Sequence, residues 1–360
     1  MSLFKEKQIF NRMKTEILPF KNFKALDGYH CITNSLVKIF DFNGKKISED
    51  MLLGLGAGMG FIYWKMKLGD TTSIFIGGRG NNKDFFTDLG RRTGVKISCI
   101  YTSSSQKAEN SLLNKLNAKE PVMMFGDMGF LPWFEFPEEY HFGGHSFVIC
   151  GFDGAQQVLA SDMDPKATGL KKGFYYPVSL AELARARNSE FKPFPPKNGT
   201  LEFDFTQFHQ PLSEDIYSAI KQCIESELHP PIKNLGIKGL NLSSKEILKW
   251  PGQFNEKDLR MNLFSLYIFF EIGGTGGGCF RYMYSRFLRE AAGICRNKQL
   301  VSPAEKIHHA GEIYSQIGNL FKDSAQHKDL DERIKIASEL FLNIAELEEE
   351  AFTELDKILK

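Results

Sequence analysis

Apolar positions recur with two different spacings along the chain, and the change of spacing divides it into two halves. Up to about residue 190, short apolar segments alternate with helical patterns. A helix is predicted to begin near Cys31, where apolar residues follow at intervals of three or four, and to end at Asn43-Gly44. A second helix is predicted after Ser48. The other elements predicted in this half are strands at 73–76, 96–101 and 122–125 and a short helix at 180–186.

The second half has mainly helical spacing. Residues 262–272 predict a buried helix or strand that leads into the glycine tract 273–278, and another helix follows from residue 279. Ser302, Pro303 and Glu305 combine an N-cap residue, a proline at the first helical position and a capping-box glutamate. They predict a helix that reaches about residue 322, and a last helix is predicted at about 330–359.

Residues 192–199 separate the halves, with three prolines and one glycine that are typical of a linker or an extended crossing segment. The sequence therefore predicts an α+β fold with two domains. The N-terminal domain is expected at about 1–190, and a mainly helical C-terminal domain at about 200–360.

Composition excludes several classes of partner. The 360 residues are 42% hydrophobic and include 32 Phe, which favours large buried side chains over disorder. Forty-five basic and 44 acidic residues give a formal charge of +1, so neither nucleic acid nor an anionic membrane is expected as a partner. The six cysteines form no C-x-x-C pair and are predicted to be reduced thiols. Residues 1–10 predict no secretory signal, and the longest apolar run is too short to span a bilayer, so a cytoplasmic location is expected.

Cys31 is the first candidate for chemistry. The start of a helix is the positive end of its dipole, which favours thiolate over thiol. A thiolate is the attacking species in acyl-transfer chemistry. Position alone leaves two interpretations open, a nucleophile or a small buried residue at a helix start.

His145 and Asp162 are brought together by a predicted hairpin. Residues 145–150 have the pattern of a strand, Asp153-Gly154 is a two-residue turn signal, and residues 156–161 have the pattern of the return strand. With that turn, paired residue numbers sum to 307, so Ile149 faces residue 158 and His145 faces Asp162. The carboxylate would accept the Nδ1 proton and orient the other ring nitrogen towards the cysteine. A surface His–Asp pair is the alternative.

Two further polar residues lie near this hairpin. His141 is four residues before His145, but the glycines at 143 and 144 argue against the helix that makes such spacing suit a metal ion. We therefore predict neither a metal nor another cofactor. Asp127 follows the strand predicted at 122–125, where it is a candidate to hold a substrate amine or else an ordinary turn residue.

Glycine tracts at 54–60 and 273–278 invite comparison with nucleotide-binding loops. Neither matches, because Met59 and Cys279 stand where the dinucleotide pattern requires glycine, and no Gly-Lys-Ser/Thr follows. The later tract opens a helix with Arg281 in its first turn. Gly276, Gly277 and Arg281 are candidates for an anion or substrate site, with close helix packing as the alternative.

Many of these segments resemble the butirosin-biosynthesis H protein family. The resemblance covers most of the chain, and the parts around Cys31 and the glycine tracts are the distinctive ones. The segments that carry it are 28–36, 48–49, 54–63 and 144–149 with Asp162 in the first half, and Trp250 with 274–281 in the second.

The resemblance implies a papain-like, cysteine-protease-type N-terminal domain followed by an uncharacterised helical domain for substrate binding or as a lid. It also implies transfer of an aminoacyl group from an acyl carrier protein to an aminoglycoside amine. We therefore expect a Cys31–His145–Asp162 triad that moves an acyl group from a thioester donor to a small-molecule amine acceptor. The sequence does not specify an oligomeric state.

One position departs from the papain-like pattern. Those peptidases have an oxyanion-hole glutamine six residues before the cysteine, where this chain has Ala25. The Cys31 N–H together with Asn34, Tyr29 or His30 is the expected replacement. Two other functions stay open, a cysteine hydrolase (peptidase, amidase or thioesterase) in which water replaces the amine, and a binding module with a decayed triad.

Overall fold

The computed structural model describes residues 17–68, 71–80, 83–137 and 139–360. The prediction about a secretory signal concerns residues 1–10, which lie outside the described residues. In chain order the elements are α1 (Cys31–Phe42), α2 (Glu49–Leu55), β1 (Met59–Leu68), β2 (Thr71–Arg79), α3 (Phe85–Thr93), β3 (Lys96–Ile100), α4 (Ser105–Asn117), β4 (Val122–Gly126), β5 (His145–Phe152), β6 (Gln157–Met163), β7 (Gly173–Ser179), α5 (Leu180–Arg187), β8 (Thr200–Asp204), α6 (Ser213–Leu228), α7 (Gly236–Ile247), α8 (Trp250–Gln253), α9 (Glu256–Tyr267), α10 (Arg281–Ile294), α11 (Val301–Phe321) and α12 (Leu330–Ile358).

The fold is α+β with a helical C-terminal half, and the chain forms two compact units. Unit 1 comprises the described residues up to Ala25, Ile100–Asp162 and Phe174–Thr200. Unit 2 comprises Leu26–Cys99, Met163–Gly173 and Leu201–Lys360. The last passage between units, after Thr200, falls directly beyond the segment predicted as a linker. The earlier passages have no counterpart in the predicted domain boundaries.

Unit 1 contains a sheet in which β4, β5, β6 and β7 are successive neighbours. β4 and β5 are antiparallel, with Met124 opposite Phe147, and both of these side chains are buried. The neighbouring helix α5 begins with a capping box, since Ser179 accepts the Glu182 N–H and the Glu182 carboxylate accepts from Ser179.

The β5–β6 hairpin is present, but its turn is longer than predicted. The Asp153 carboxylate accepts three backbone N–H groups, those of residues 155–157. A side chain that binds several N–H groups stabilises a wider turn than the two-residue type. Ile149 therefore pairs with Ala160. The predicted pairing of Ile149 with Val158 is wrong by two residues.

Unit 2 surrounds the antiparallel hairpin formed by β1 and β2. Alternate residues point to one face of a strand, and on these two strands that face enters the helical core. The buried core side chains from the hairpin are Phe61, Tyr63, Ile74 and Ile76, and those from the helices include Leu240, Phe270, Tyr314 and Phe341. The hairpin therefore packs with the C-terminal helices, although the predicted boundary at 190 assigned it to the other domain.

The helices that were predicted individually are present, with differences at their ends, whereas α3, α4, α6, α7 and α8 had no individual prediction. Residues 262–272 are helical, comprising the end of α9 and a π-helical turn at Ile268–Ile272. α11 starts at Val301, one residue before the predicted cap, because a 3-10 turn leads into it. At Gly54 on α2 the Phe287 ring leaves no room for a Cβ atom, so this glycine serves close packing. Within the described residues, no helix has both the length and the apolar character to cross a bilayer.

Candidate active site

Cys31 is the first residue of α1. His30 is the N-cap residue, and its side chain accepts the N–H of Thr33. The Cys31 side chain is partly exposed. A helix start and access to solvent are the conditions under which a cysteine reacts as a thiolate.

The Arg79 guanidinium lies within electrostatic reach of the Cys31 thiol. Burial lowers the pKa of Arg79 to about 10, and a negative charge on Cys31 acts in the opposite direction. Arg79 ends β2, and its guanidinium lies 4.5 Å from the centroid of the Phe85 ring. Since Arg79 keeps its proton at neutral pH, it favours the thiolate form of Cys31. Arg79 could not be predicted from the sequence, because no local pattern connects the end of a strand with a cysteine 48 positions earlier.

The glycine tract 273–278 lies against the segment around Cys31. A Cβ atom at Gly274 would lie 4.0 Å from the Cys31 backbone nitrogen, and one at Gly276 would lie 3.1 Å from the Tyr29 side chain. Four glycines of the tract have φ angles between +54° and +80°. That left-handed region favours glycine. The path of the tract beside Cys31 therefore depends on its glycines.

Arg281 is fully buried, and its donors are used inside the protein. Nε and Nη2 donate to the Glu348 carboxylate at 2.7 and 2.9 Å. Nη1 donates to the carbonyls of Gly60 at 2.8 Å and Cys279 at 2.9 Å. The guanidinium is therefore committed to an internal ion pair, which corrects the expectation that Arg281 binds an external anion.

The glycines before Arg281 face a carboxylate of the protein itself. The Gly278 N–H donates to Glu271 Oε1 at 3.1 Å, and a Cβ atom at Gly277 would lie 3.4 Å from Glu271 Oε2. Glu271 thus stands where an anionic ligand was expected. Close packing is the interpretation of Gly276 and Gly277 that agrees with these contacts.

His145 and Asp162 are in contact within unit 1. His145 Nε2 lies 2.7 Å from Asp162 Oδ2, and both side chains are buried. Val148 pairs with Ser161, so Asp162 stands opposite Phe147 and reaches His145 as a diagonal neighbour on the same face. The nitrogen also differs from the prediction. With Nε2–H donating to the carboxylate, Nδ1 carries the lone pair of the neutral ring.

Trp133 is a second donor to this carboxylate, and it was not predicted from the sequence. Its Nε1–H donates to Asp162 Oδ2 at 2.8 Å, and its ring stacks on Tyr176 with centroids 4.9 Å apart. Phe134 meets the His145 ring edge-on at 5.0 Å. The aromatic-rich segment around residue 133 is visible in the sequence, but nothing there pairs its tryptophan with residue 162. Trp133 fixes the carboxylate that holds the histidine.

Asp127 is buried, and protein donors surround its carboxylate. Oδ1 accepts the N–H groups of Gly129 and Phe142, each at 3.0 Å. Oδ2 accepts from the Ser189 hydroxyl and lies 2.9 Å from His141 Nδ1. These contacts make Asp127 a residue that holds its turn, as the alternative interpretation had it, and they do not support a role in binding a substrate amine.

Asn34 has an internal role as well. Its amide Nδ2 donates to the carbonyls of Leu26 at 3.1 Å and Asp27 at 3.0 Å. The side chain therefore holds the segment that leads towards Cys31, and it does not serve as an oxyanion donor. Of the donors considered from the sequence, the Cys31 N–H at the start of α1 keeps the position that such a role requires.

The candidate triad is thus distributed over the two units. The structure brings His145 and Asp162 together in unit 1. Cys31 belongs to unit 2, with Arg79 and the glycine tract 273–278 near it.

Two protein-family models match the chain. The model described as butirosin biosynthesis protein H, N-terminal, matches residues 30–163, and the model of a domain of unknown function, DUF4872, matches residues 181–355. Residues 30–163 therefore belong to the butirosin biosynthesis protein H-like family. This confirms the resemblance seen in the sequence. In this H-like chain the first match contains Cys31, His145 and Asp162, and the second contains the later glycine tract. A comparison with curated proteins finds no significant match.

Proposed function

We propose that the protein is a cysteine-dependent acyltransferase with a papain-like N-terminal part, which moves an acyl group from a thioester to an amine. The observation that carries this proposal is the setting of Cys31. It is a partly exposed cysteine at the start of α1, within electrostatic reach of Arg79. Both features favour the thiolate, the form of cysteine that attacks an acyl carbonyl.

The reaction has two steps. The Cys31 thiolate attacks the thioester carbonyl of the donor, a C–S bond forms to Cys31, and the C–S bond to the donor breaks to release the donor as a thiolate. An amine then attacks the acyl-Cys31 carbonyl, loses a proton, and forms an amide while Cys31 leaves as thiolate. The Cys31 N–H, at the start of α1, is the proposed donor to the carbonyl oxygen in both steps.

His145 is the proposed base for the amine. Since its Nε2 lies 2.7 Å from Asp162, its Nδ1 is the nitrogen that takes the proton. The carboxylate stabilises the imidazolium that forms. Trp133 donates to the same carboxylate oxygen and restricts its orientation. The proposal that His145 acts as the base for Cys31 rests on the chemistry of the two side chains and on the family match, which contains both residues.

Transfer, as opposed to hydrolysis, requires that water be kept away from the acyl-cysteine. The glycine tract 273–278, which belongs to the second family match, lies beside the Cys31 backbone at Gly274. This tract is proposed to shield the acyl-Cys31 intermediate from water. The family name connects this group of proteins with butirosin biosynthesis, where the resemblance implies transfer of an acyl group from a carrier protein to an aminoglycoside. The proposed substrates are accordingly an acyl thioester, which a carrier protein presents, and a small-molecule amine.

The test is to incubate the protein with acyl thioesters and a panel of amines and to identify the products by mass spectrometry. The expected result is an amide product, with an acyl adduct on Cys31 that accumulates when the amine is omitted. Cys31→Ser is the matched control, since it changes one atom, and it should abolish both.

Each other outcome has a definite meaning. Free acid as the product, at a rate that no amine changes, would assign the protein as a cysteine hydrolase. No turnover, together with a Cys31 that forms no adduct, would assign it as a binding module.

A further inference from the structure

The segment that leads into Cys31 is held by a carboxylate that the proposed reaction does not use. Glu49, the first residue of α2, accepts the Tyr29 N–H through Oε2 at 2.9 Å and the His30 N–H through Oε1 at 2.8 Å. The Thr33 hydroxyl also donates to Oε1, at 2.8 Å. The three donors lie on both sides of Cys31 in the sequence, two before it and one after it.

Gly28, which precedes these donors, leaves room for the Glu49 carboxylate. A Cβ atom at position 28 would lie 2.7 Å from Glu49 Oε2 and would overlap the Asn34 amide, so a side chain there would displace these two groups. Hydrogen bonds to an ionised acceptor are about twice as strong as those between neutral groups. The peptide groups that enter α1 therefore have a fixed orientation, and so does the Cα–Cβ bond of Cys31.

We infer that Glu49 is a positioning residue for the Cys31 nucleophile: its carboxylate holds the backbone before Cys31 and the Thr33 side chain after it, so that the Cys31 thiolate and N–H face the same carbonyl group. The inference rests on the proposed function, in which Cys31 attacks a thioester. A displacement of about 1 Å at a reacting centre costs about 100-fold in rate. A loosened segment should therefore slow acylation without unfolding the protein.

The charged groups around Glu49 set the pH at which it acts. Burial raises the pKa of Glu49 to about 7, against the hydrogen bonds from His30, Thr33 and Tyr29, which lower it. Asp50 on α2 raises it further. Arg286 on α10 faces the same region and pairs with Asp50 at 2.7 and 2.9 Å. Above pH about 7 the ionised carboxylate accepts all three bonds, and below it the protonated form holds the backbone less strongly.

Glu49→Gln tests the inference, because the amide keeps the shape of the side chain but places an NH2 group against a backbone N–H. The measurement is single-turnover acylation of Cys31 by an acyl thioester, followed by intact mass, at pH values below and above about 7. We expect the wild-type rate to rise across this range. The variant should lack that rise and acylate about 10-fold more slowly at the higher pH.

Glu290→Gln is the matched control. Burial also raises the pKa of Glu290, but this residue accepts from the Ser48 hydroxyl instead of the backbone before Cys31. The control should keep the wild-type rate and pH profile. Thr33→Val provides a second variant that removes one bond to Glu49 and should show a smaller loss of the same kind.

The outcomes separate this inference from the function on which it rests. If wild-type Cys31 is acylated and Glu49→Gln matches its rate and pH profile, the positioning role is wrong and the proposed function stands. If wild-type Cys31 is not acylated by any thioester, the proposed function is wrong, and the inference falls with it.

Discussion

The same Glu49→Gln change makes a quantitative prediction about stability. The ordinary pKa of Glu49 is 4.5, and burial raises it to about 7 in the folded protein. Each pKa unit corresponds to about 1.4 kcal/mol. The difference of roughly 2.5 units therefore corresponds to about 3 kcal/mol, which is an upper limit because the side chain is only partly buried.

The sign follows from proton binding. Between pH 4.5 and about 7 the folded state keeps the proton on Glu49 while the unfolded state releases it. Stability is therefore fully present below pH 4.5 and falls as the pH rises, up to about 7. The glutamine variant has no such titration. Between acidic and mildly alkaline pH, the free energy of unfolding of the variant should therefore fall by up to about 3 kcal/mol less than that of the wild type.

Urea unfolding of both proteins at pH values below 5 and above 7 measures this difference. Other buried acids also contribute to the slope of the unfolding free energy against pH. One of them is Glu227, because burial raises its pKa to about 8. They are common to both proteins and cancel when the two slopes are subtracted. Equal slopes would refute the reasoning, because Glu49 would then titrate alike in the folded and unfolded states. A variant that is more stable above pH 7 but acylates slowly would show that the charge is kept for reactivity at a cost in stability.

Three further predictions concern the rest of unit 2. Glu348→Gln should destabilise the protein by about 3–5 kcal/mol in urea unfolding, because it leaves a buried guanidinium without its charged partner. Gly276→Ala should lower the free energy of unfolding by about 1–2 kcal/mol, because its φ is +72° and a side chain would press on Tyr29. Gly293→Ala, at an open position in α10, should raise it by about 0.5–1 kcal/mol. Thermal unfolding of the two variants measures both changes. Burial raises the pKa of Cys223 and of Cys279 to about 12, so peptide mapping should find both unlabelled by iodoacetamide in the native protein, and rapid labelling of either would contradict their burial.

Local patterns predicted α1 and α12 close to their observed bounds. The buried residues of α12 repeat with the helical period, whereas α1 is buried on most of its surface, including Thr33, Asn34 and Lys38. The strand β1 was missed, because its first residues, Met59 and Gly60, belong to a glycine tract, and glycine weakens a strand pattern. The hairpin turn was predicted too short, because the Asp153 side chain binds the N–H groups of the turn.

The His145–Asp162 contact was predicted correctly from an incorrect register. At Val148 and Ile149 the true register differs by two residues, and a shift of two keeps these side chains on their face of the sheet. A shift of one would have separated the pair. Arg79 and Trp133 were beyond sequence reasoning, since each reaches its partner through tertiary structure.

The packing of the β1–β2 hairpin has a consequence for synthesis of the protein. Phe61 and Ile76 are buried against helical residues as distant as Phe341. At about 5–20 residues per second, the ribosome delivers those helices roughly tens of seconds after the hairpin. Until then the helices against which β2 packs are absent, and Arg79 at the end of β2 has no fixed position near Cys31. The nascent chain is therefore expected to carry an ordinary, unactivated thiol, which under the proposed function would protect it from premature acylation by thioesters.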